Sequence, residues 1–86
     1  MMEYNHESEN NIEIQGKILM SLTDPMTLKG LIKKMRLDHR IRKNDVLRNV
    51  NYLTVHKMAL VRRHDLLYLE QDDPGKYIRK HGGKGG

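Results

Sequence analysis

The sequence contains no cysteine, no tryptophan and no phenylalanine. Without cysteine there are no disulfide bonds, and the usual structural zinc sites with thiolate ligands are excluded. Without Trp and Phe, the interior of this 86-residue chain has to be built from aliphatic residues and from its six methionines. Apolar runs fall far short of the roughly 20 residues that a membrane-spanning helix needs. We therefore expect one small domain that works inside the cell, in the cytoplasm, and has no membrane partner.

Patterns that carry catalysis or bind metals are also missing. The five histidines are spread along the chain without the spacing of metal ligands. No glycine-rich loop follows a β-rich run, no paired acids lie in an apolar setting, and serine occurs only at Ser8 and Ser21. We therefore expect no enzyme activity, no cofactor, no metal ion and no small-molecule ligand.

Positive charge is concentrated in one part of the chain. Residues 29–64 contain eleven Lys or Arg against two Asp, which gives +9, whereas the whole chain carries +5. Residues 1–28 carry five acids against one lysine, and residues 65–86 have four charges of each sign. Such a block is typical of a protein that binds a polyanion such as nucleic acid, and the alternative is an ordinary solvated surface.

Composition divides the chain into three parts. Residues 1–11 are polar, acidic and aperiodic, which predicts a disordered arm. Residues 12–73 carry the apolar periodicity of a folded domain. Residues 74–86 are basic and rich in glycine, which predicts a flexible tail, and Tyr77 and Ile78 are its candidates for docking on the domain.

Helical periodicity predicts two helices in the first half of the domain. The first has Asn10 or Asn11 as its N-cap and ends before Pro25, which cannot continue a helix. Its apolar stripe consists of Ile14, Ile18, Leu19 and Leu22. Thr27 is the expected N-cap of the second helix. The stripe of this helix is Leu28, Leu31, Ile32 and Met35, and Gly30 in its middle suggests a close neighbour.

A third helix is predicted from about residue 44 to residue 57, with Asn44 or Asp45 as its N-cap. Its inner stripe is Val46, Val50 and Leu53, and the opposite side presents Asn44, Arg48, Asn51, Tyr52 and Val55. A basic connector from Arg36 to Lys43 precedes it, with Leu37 and Ile41 as expected apolar anchors. The methionines Met20, Met26, Met35 and Met58 fall at or beside helical core positions, where we expect them to fill gaps.

Two β-rich runs follow the third helix. Leu60–Arg63 and Leu66–Gln71 flank the pair His64-Asp65, which predicts a hairpin although this pair is a weaker turn signal than Asn-Gly.

These elements together resemble winged helix-turn-helix transcription regulators over roughly residues 12–71. The stretch Thr27–Leu37 resembles their second helix, and Leu60–Arg63 looks like the strand that enters the wing. The third helix repeats their core spacing of five, four and three residues with Ile41, Val46, Val50 and Leu53. The chain departs from the family in two places. The connector is about four residues longer than the family's tight turn, and no glycine stands near Lys57-Met58-Ala59, where many members end the third helix.

The resemblance implies an α+β fold, mainly helical, with three helices and a two-stranded C-terminal hairpin. It also implies a sequence-specific regulator of transcription that places the third helix in the major groove of double-stranded DNA. The expected base-reading residues are Asn44, Arg48, Asn51 and Tyr52, of which Tyr52 has closing the core as its alternative. The expected phosphate-binding residues are Lys33, Lys34, Arg40, Arg42, Lys43, Arg62, Arg63 and His64.

Two other functions fit the same sequence. A winged helix can serve as a protein–protein adaptor that presents its basic face to an acidic partner, or it can bind RNA. A homodimer is compatible with a DNA-binding role, because small repressors bind two half-sites about one helical turn apart.

Overall fold

Three helices and a small antiparallel sheet make up the computed structural model, which describes residues 5–72. The helices are α1 (Glu9–Ser21), α2 (Leu28–His39) and α3 (Lys43–Asn51). The strands are β1 (Met26–Thr27), β2 (Leu60–Arg63) and β3 (Leu66–Leu69), in the order β1-β3-β2. The predicted α+β class and the three helices are therefore confirmed. Predictions about residues 1–4 and about the tail, including Tyr77 and Ile78, lie outside the described residues.

The sheet has one strand more than the sequence predicts. Met26 pairs with Leu67 and Thr27 pairs with Leu66, so that β1 adds a short third strand to the hairpin. A two-residue strand is too short to show the alternation that identifies strands in a sequence. The predicted two-stranded hairpin is therefore present, but it is part of a three-stranded sheet, which the sequence did not indicate.

The hairpin itself lies where the sequence predicts it. Arg63 pairs with Leu66, which leaves His64 and Asp65 as its two-residue turn. His64 adopts a left-handed backbone conformation with φ of 56°, as tight hairpin turns require. The second strand ends at Leu69 rather than at Gln71, because a single 3₁₀ turn, Glu70–Asp72, follows it.

The core lies where the three helices meet the sheet, and the predicted stripes supply most of it. Its buried apolar residues are Ile14, Ile18, Leu22, Leu31, Met35, Ile41, Val46, Val50, Leu53, Leu60 and Leu67. Of the four methionines expected to fill gaps, Met35 is buried and Met26 packs against the core from its edge. Met20 and Met58 are instead 77% and 70% exposed, so that expectation was wrong for them.

The caps of the helices follow the sequence at one of three N-termini. Thr27 caps α2, as predicted, and its Oγ1 accepts a hydrogen bond from the backbone N–H of Gly30 at 3.0 Å. Gly30 lies in the first turn of α2 rather than in its middle, and a Cβ atom on it would lie 3.0 Å from the same Oγ1, so the expected close neighbour is the cap itself. The predicted caps of α1, Asn10 and Asn11, are wrong, because Ser8 accepts from the N–H of Asn11.

The predicted caps of α3 are also wrong. The helix begins at Lys43, and the preceding Arg42 makes no side-chain capping hydrogen bond. Asn44 and Asp45 therefore lie inside the first turn, where the negative carboxylate of Asp45 interacts favourably with the positive end of the helix dipole.

The turn between α2 and α3 is short, so the prediction of an overlong connector was wrong. Helix α2 continues to His39, and only residues 40–42 separate it from α3. Arg40 adopts the left-handed conformation with φ of 56°, and the N–H groups of Arg40 and Ile41 return to carbonyls of the last turn of α2. Ile41 is buried as expected, whereas Leu37 is 64% exposed and is no anchor. The chain stays helical longer than expected because neither glycine nor proline interrupts it.

Helix α3 changes its hydrogen bonding before it ends. A π-helical turn, Tyr52–His56, continues the helix, and the N–H of Lys57 bonds the carbonyl of Tyr52 at 2.9 Å. The predicted end near Lys57 is therefore confirmed. Met58 then takes the left-handed conformation with φ of 55°, and the N–H of Ala59 closes on the carbonyl of Leu53 at 2.8 Å. The helix thus ends at the position where many winged-helix proteins carry a glycine, and here Met58 adopts the conformation that glycine usually supplies.

Met58→Gly should raise the free energy of unfolding by about 0.5–1 kcal/mol. The left-handed conformation costs a non-glycine residue roughly 1–2 kcal/mol, which glycine avoids. Glycine's greater freedom in the unfolded chain offsets part of this gain. Little burial is lost, because the Met58 side chain is largely exposed. The measurement is urea unfolding followed by circular dichroism. Lys57→Gly, at φ of −83°, is the control and should lower stability. A loss of stability in both variants would contradict the strain at Met58.

Thr27→Ala should lower the free energy of unfolding by about 1 kcal/mol, because it leaves the N–H of Gly30 without its side-chain acceptor. Thr23→Ala serves as the matched control, since Thr23 is exposed and caps no helix. The same urea titration should place this control within about 0.5 kcal/mol of the parent chain. Equal effects of the two substitutions would show that the cap contributes nothing.

Candidate nucleic-acid interface

One side of α3 is exposed along its whole length. Val46 and Val50 turn the other side into the core, so Asn44, Arg48 and Asn51 project outward as a polar stripe. Three of the four predicted base readers therefore lie together on one accessible surface. The two asparagine amides offer both hydrogen-bond donors and acceptors to a molecule bound at this stripe, and the guanidinium of Arg48 offers donors.

Tyr52 is the predicted base reader that the structure separates from the other three. Its side chain is half-buried and packs against the hydrophobic core. Its ring stacks on His6, with centroids 4.3 Å apart and planes 16° from parallel, and more loosely on His56, at 5.9 Å. Tyr52 thus occupies the side of α3 that faces the N-terminal segment, in agreement with the alternative that it closes the core.

An open groove lies between α2, α3 and the hairpin turn, on the side of the polar stripe away from Tyr52. Its volume is about 610 Å³. Leu28, Ile32 and Leu47, all half-buried, give the groove an apolar floor. Three cations lie around this floor: Lys29 on α2, Lys43 at the start of α3 and Arg62 on β2. Asp65 is the acidic residue among those that line the groove.

The predicted phosphate-binding residues are distributed over both sides of α3. Lys43 and Arg62 line the groove, Lys33 lies beside it on α2, and Arg63 and His64 are exposed at the hairpin turn. Lys34 instead lies 3.6 Å from Asp38 in an exposed ion pair. The sequence prediction missed Lys29, although its position one turn before Lys33 on the same helix was a signal for it.

Arg40 and Arg42 lie in a different environment. They line a polar notch between the turn and α1, together with Glu13, Lys17 and Asp45. Asp45 and Lys43 are two residues apart, which places them about 200° apart around α3, so the notch and the groove lie on opposite sides of the helix. The two arginines are therefore separated from the cations of the groove.

Acidic neighbours weaken the positive potential at the notch. The ammonium of Lys17 lies 2.8 Å from the carboxylate of Glu13. This hydrogen bond and the charge of Lys17 lower the pKa of Glu13, so the carboxyl group stays ionised. Two acids, Glu13 and Asp45, thus accompany the three cations of the notch, Lys17, Arg40 and Arg42, whereas one acid accompanies the three cations of the groove. The candidate interface therefore consists of the polar stripe, the groove and the hairpin turn.

Asn49 is a buried polar residue that sequence analysis missed. It lies between Val46 and Leu53 on the inner side of α3 and is completely buried. Its Nδ2 donates to Asn11 Oδ1 at 2.9 Å and to the carbonyl of Asp45 at 2.8 Å, and its Oδ1 accepts from Gln15 Nε2 at 3.0 Å. An unsatisfied buried amide costs about 1–3 kcal/mol, so these partners are what makes its burial tolerable. The signal in the sequence was an amide at a stripe position, three residues after one core residue and four before the next.

The N-terminal segment packs against α3, which corrects the expectation of a disordered arm for residues 5–11. Helix α1 already begins at Glu9. Asn11 Nδ2 donates to the carbonyl of Asn5 at 2.7 Å, and Gln15 Nε2 donates to that of His6 at 3.1 Å. Together with the stack of His6 on Tyr52, these bonds attach residues 5–8 to α1 and α3. The division of the whole chain into arm, domain and tail stays a prediction.

Comparisons of the chain with family models, with curated proteins and with solved structures found no match. Within residues 5–72, no helix has the length and apolar character that crossing a lipid bilayer requires. Over the same residues, no group of three or more His, Cys, Asp or Glu side chains is placed to hold a metal ion.

Proposed function

We propose that this chain is a winged helix-turn-helix protein that binds double-stranded DNA sequence-specifically and regulates transcription. The observation that carries the proposal is the position of the polar stripe of α3 directly beside a groove that carries three cations. Base readout needs exposed polar side chains on a helix, and affinity needs nearby cations for phosphates. This face of the protein offers both.

The fold supports this proposal. Helix α2, a three-residue turn, helix α3 and a hairpin follow one another in the order expected of a winged helix-turn-helix domain. The turn has the short length of that family, in contrast to what the sequence suggests. A second helix held at a fixed angle by such a turn is the element that enters the major groove in helix-turn-helix proteins.

In this mode of binding, α3 lies in the major groove with its polar stripe against the base edges. Arg48 pairs with guanine O6 and N7, and Asn44 or Asn51 pairs with adenine N6 and N7, each pair contributing about 1–3 kcal/mol of discrimination. The cations Lys29, Lys43 and Arg62 hold the phosphates that border the groove of the protein. These phosphate contacts fix the position of the helix on the duplex without reading its sequence.

The floor of the groove favours a second candidate, a protein–protein adaptor. Leu28, Ile32 and Leu47 leave apolar surface beside Lys29, Lys43 and Arg62. An acidic peptide with an apolar side chain would match both features, because apolar contacts and ion pairs would form together. RNA is the third candidate. An RNA duplex has a deep, narrow major groove that side chains cannot read, so binding to such a duplex would rest on its phosphates and 2′-hydroxyl groups.

Salt dependence tests the proposal. A duplex bound through five or six phosphates should lose affinity with a log–log slope of about −5 against salt concentration. Fluorescence anisotropy with a labelled DNA duplex measures this slope, and an RNA duplex and an acidic peptide are the comparison ligands. Absence of DNA binding at low salt would refute the proposal, and preference for the peptide would favour the adaptor.

Arg48→Ala should relax base preference at one position of a bound site, with a loss of discrimination of about 5- to 150-fold. Lys43→Ala should weaken all duplexes alike and reduce the salt slope by about one unit. Lys34→Ala is the matched control, because Lys34 already faces Asp38 outside the groove. The measurement is anisotropy on sites selected from a random duplex pool and on their single-base variants. Equal weakening of every duplex by Arg48→Ala would exclude a base-reading role for Arg48.

A further inference from the structure

We propose that Asn49 is a positioning residue that fixes the rotation of α3 about its own axis and thereby the direction in which Arg48 and Asn51 face. The inference rests on the proposed function for its biochemical consequence. Its structural part rests only on contacts among the described residues.

The partners of Asn49 hold it from two successive turns of α1. Asn11 and Gln15 are four residues apart, so their side chains lie one above the other on the same face of that helix. One contributes an acceptor, at 2.9 Å, and the other a donor, at 3.0 Å. The amide of Asn49 therefore lies between them, and its remaining Nδ2 hydrogen bonds the carbonyl of Asp45 within α3.

The orientation of both partner amides is also fixed. Asn11 Nδ2 donates to the carbonyl of Asn5, which turns Asn11 Oδ1 toward Asn49. Gln15 Nε2 donates to the carbonyl of His6 as well as to Asn49 Oδ1, so both of its hydrogens are used on carbonyl oxygens. Reversing any of these amides would place two donors or two acceptors opposite each other. The network therefore admits one arrangement.

Neighbouring contacts between α1 and α3 are not directional. Ile14 and Ile18 belong to the same aliphatic cluster as Val46 and Val50, which stays largely buried when one helix turns slightly against the other. A rotation of α3 by about 20° moves an atom 5 Å from its axis by roughly 1.7 Å, which is enough to break a hydrogen bond of normal length. The same rotation displaces a guanidinium about 8 Å from the axis by roughly 3 Å, enough to lose a bidentate contact. Asn49 thus restricts a motion that the aliphatic packing permits.

Buried asparagine has this effect in coiled coils, where one such residue selects a register at a cost in stability relative to an apolar residue. In this chain, Asn49 selects the rotation of α3, the helix that carries Arg48, about its own axis. Replacing the amides by apolar residues should therefore preserve folding but allow α3 to adopt several rotations, so that the polar stripe no longer faces in one direction.

The test is the double variant Q15L/N49L, which replaces the central pair of amides by apolar side chains of similar size. We expect a cooperative unfolding transition, and an affinity for random duplex within about threefold of the parent chain. Discrimination against single-base variants at the position read by Arg48 should fall about tenfold or more. Thr54→Val is the control, because Thr54 Oγ1 bonds only the carbonyl of Val50 within its own helix among the contacts observed. It should leave discrimination unchanged.

Nuclear Overhauser effects between the methyl groups of Ile14 or Ile18 and those of Val46 or Val50 give a second readout without DNA. In Q15L/N49L they should change or multiply, and in Thr54→Val they should match the parent chain. An unchanged methyl pattern, or undiminished discrimination in a chain that binds DNA, would overturn the proposal. A changed methyl pattern in a chain that binds no duplex would instead refute the proposed function and leave the positioning role standing.

Asn11→Ala covers the case in which the double variant does not fold. It removes two bonds of the network, the one from Asn49 and the one to the carbonyl of Asn5, at a half-buried position where water replaces part of what is lost. Discrimination should then fall by about threefold, with the same change in the methyl contacts. A folded Asn11→Ala protein with the parent's methyl contacts and discrimination would overturn the proposal.

Discussion

The exposed side of α3 depends on how its buried side is held against α1. Val46 and Val50 supply the apolar contact, and Asn49 supplies the directional one. The short turn through Arg40 and Ile41 sets where the helix begins, since burial of Ile41 draws the chain into the core immediately before it. Polar side chains on a helix surface have a defined geometry only when the core beneath them permits a single position and rotation of that helix. The polar stripe is a consequence of that packing.

Charge is distributed asymmetrically around the same helix. On the side of the groove, Lys29, Lys43 and Arg62 lie together. On the side of the notch, acidic side chains of α1 and α3 accompany the two arginines of the turn. Net charge alone does not reveal this difference, because the cations of both sides belong to the same basic block of sequence. The fold therefore places part of the basic block beside fewer acidic residues on the groove side than on the notch side.

Elements that depend on periodic burial could be predicted from the sequence. The stripes of α1, α2 and α3 and the pairing of the hairpin follow from apolar spacing, and Thr27 follows from its side chain. The turns could not be predicted as well, because Arg40, Met58 and His64 adopt left-handed conformations without the glycine that usually announces them. Within the candidate site, the exposure of Asn44, Arg48 and Asn51 was predictable from the helical period. The sequence left two roles open for Tyr52 and did not indicate the network around Asn49, since His6 and Asn11, which contact these two residues, belong to a segment that composition alone assigns to a disordered arm.

Thr27 belongs to two elements at once. Its hydroxyl begins α2, and its backbone pairs with Leu66, which also pairs with Arg63 in the hairpin. The start of α2 and the hairpin are therefore joined through one strand, and these joined elements carry Lys29 and Arg62, which line the same groove. Because this link limits how far the two elements can move apart, adjustment on binding would fall to the ligand. For a DNA duplex, the ease with which a given base-pair step widens, narrows or bends to fit that spacing would then contribute to recognition at positions that no side chain touches.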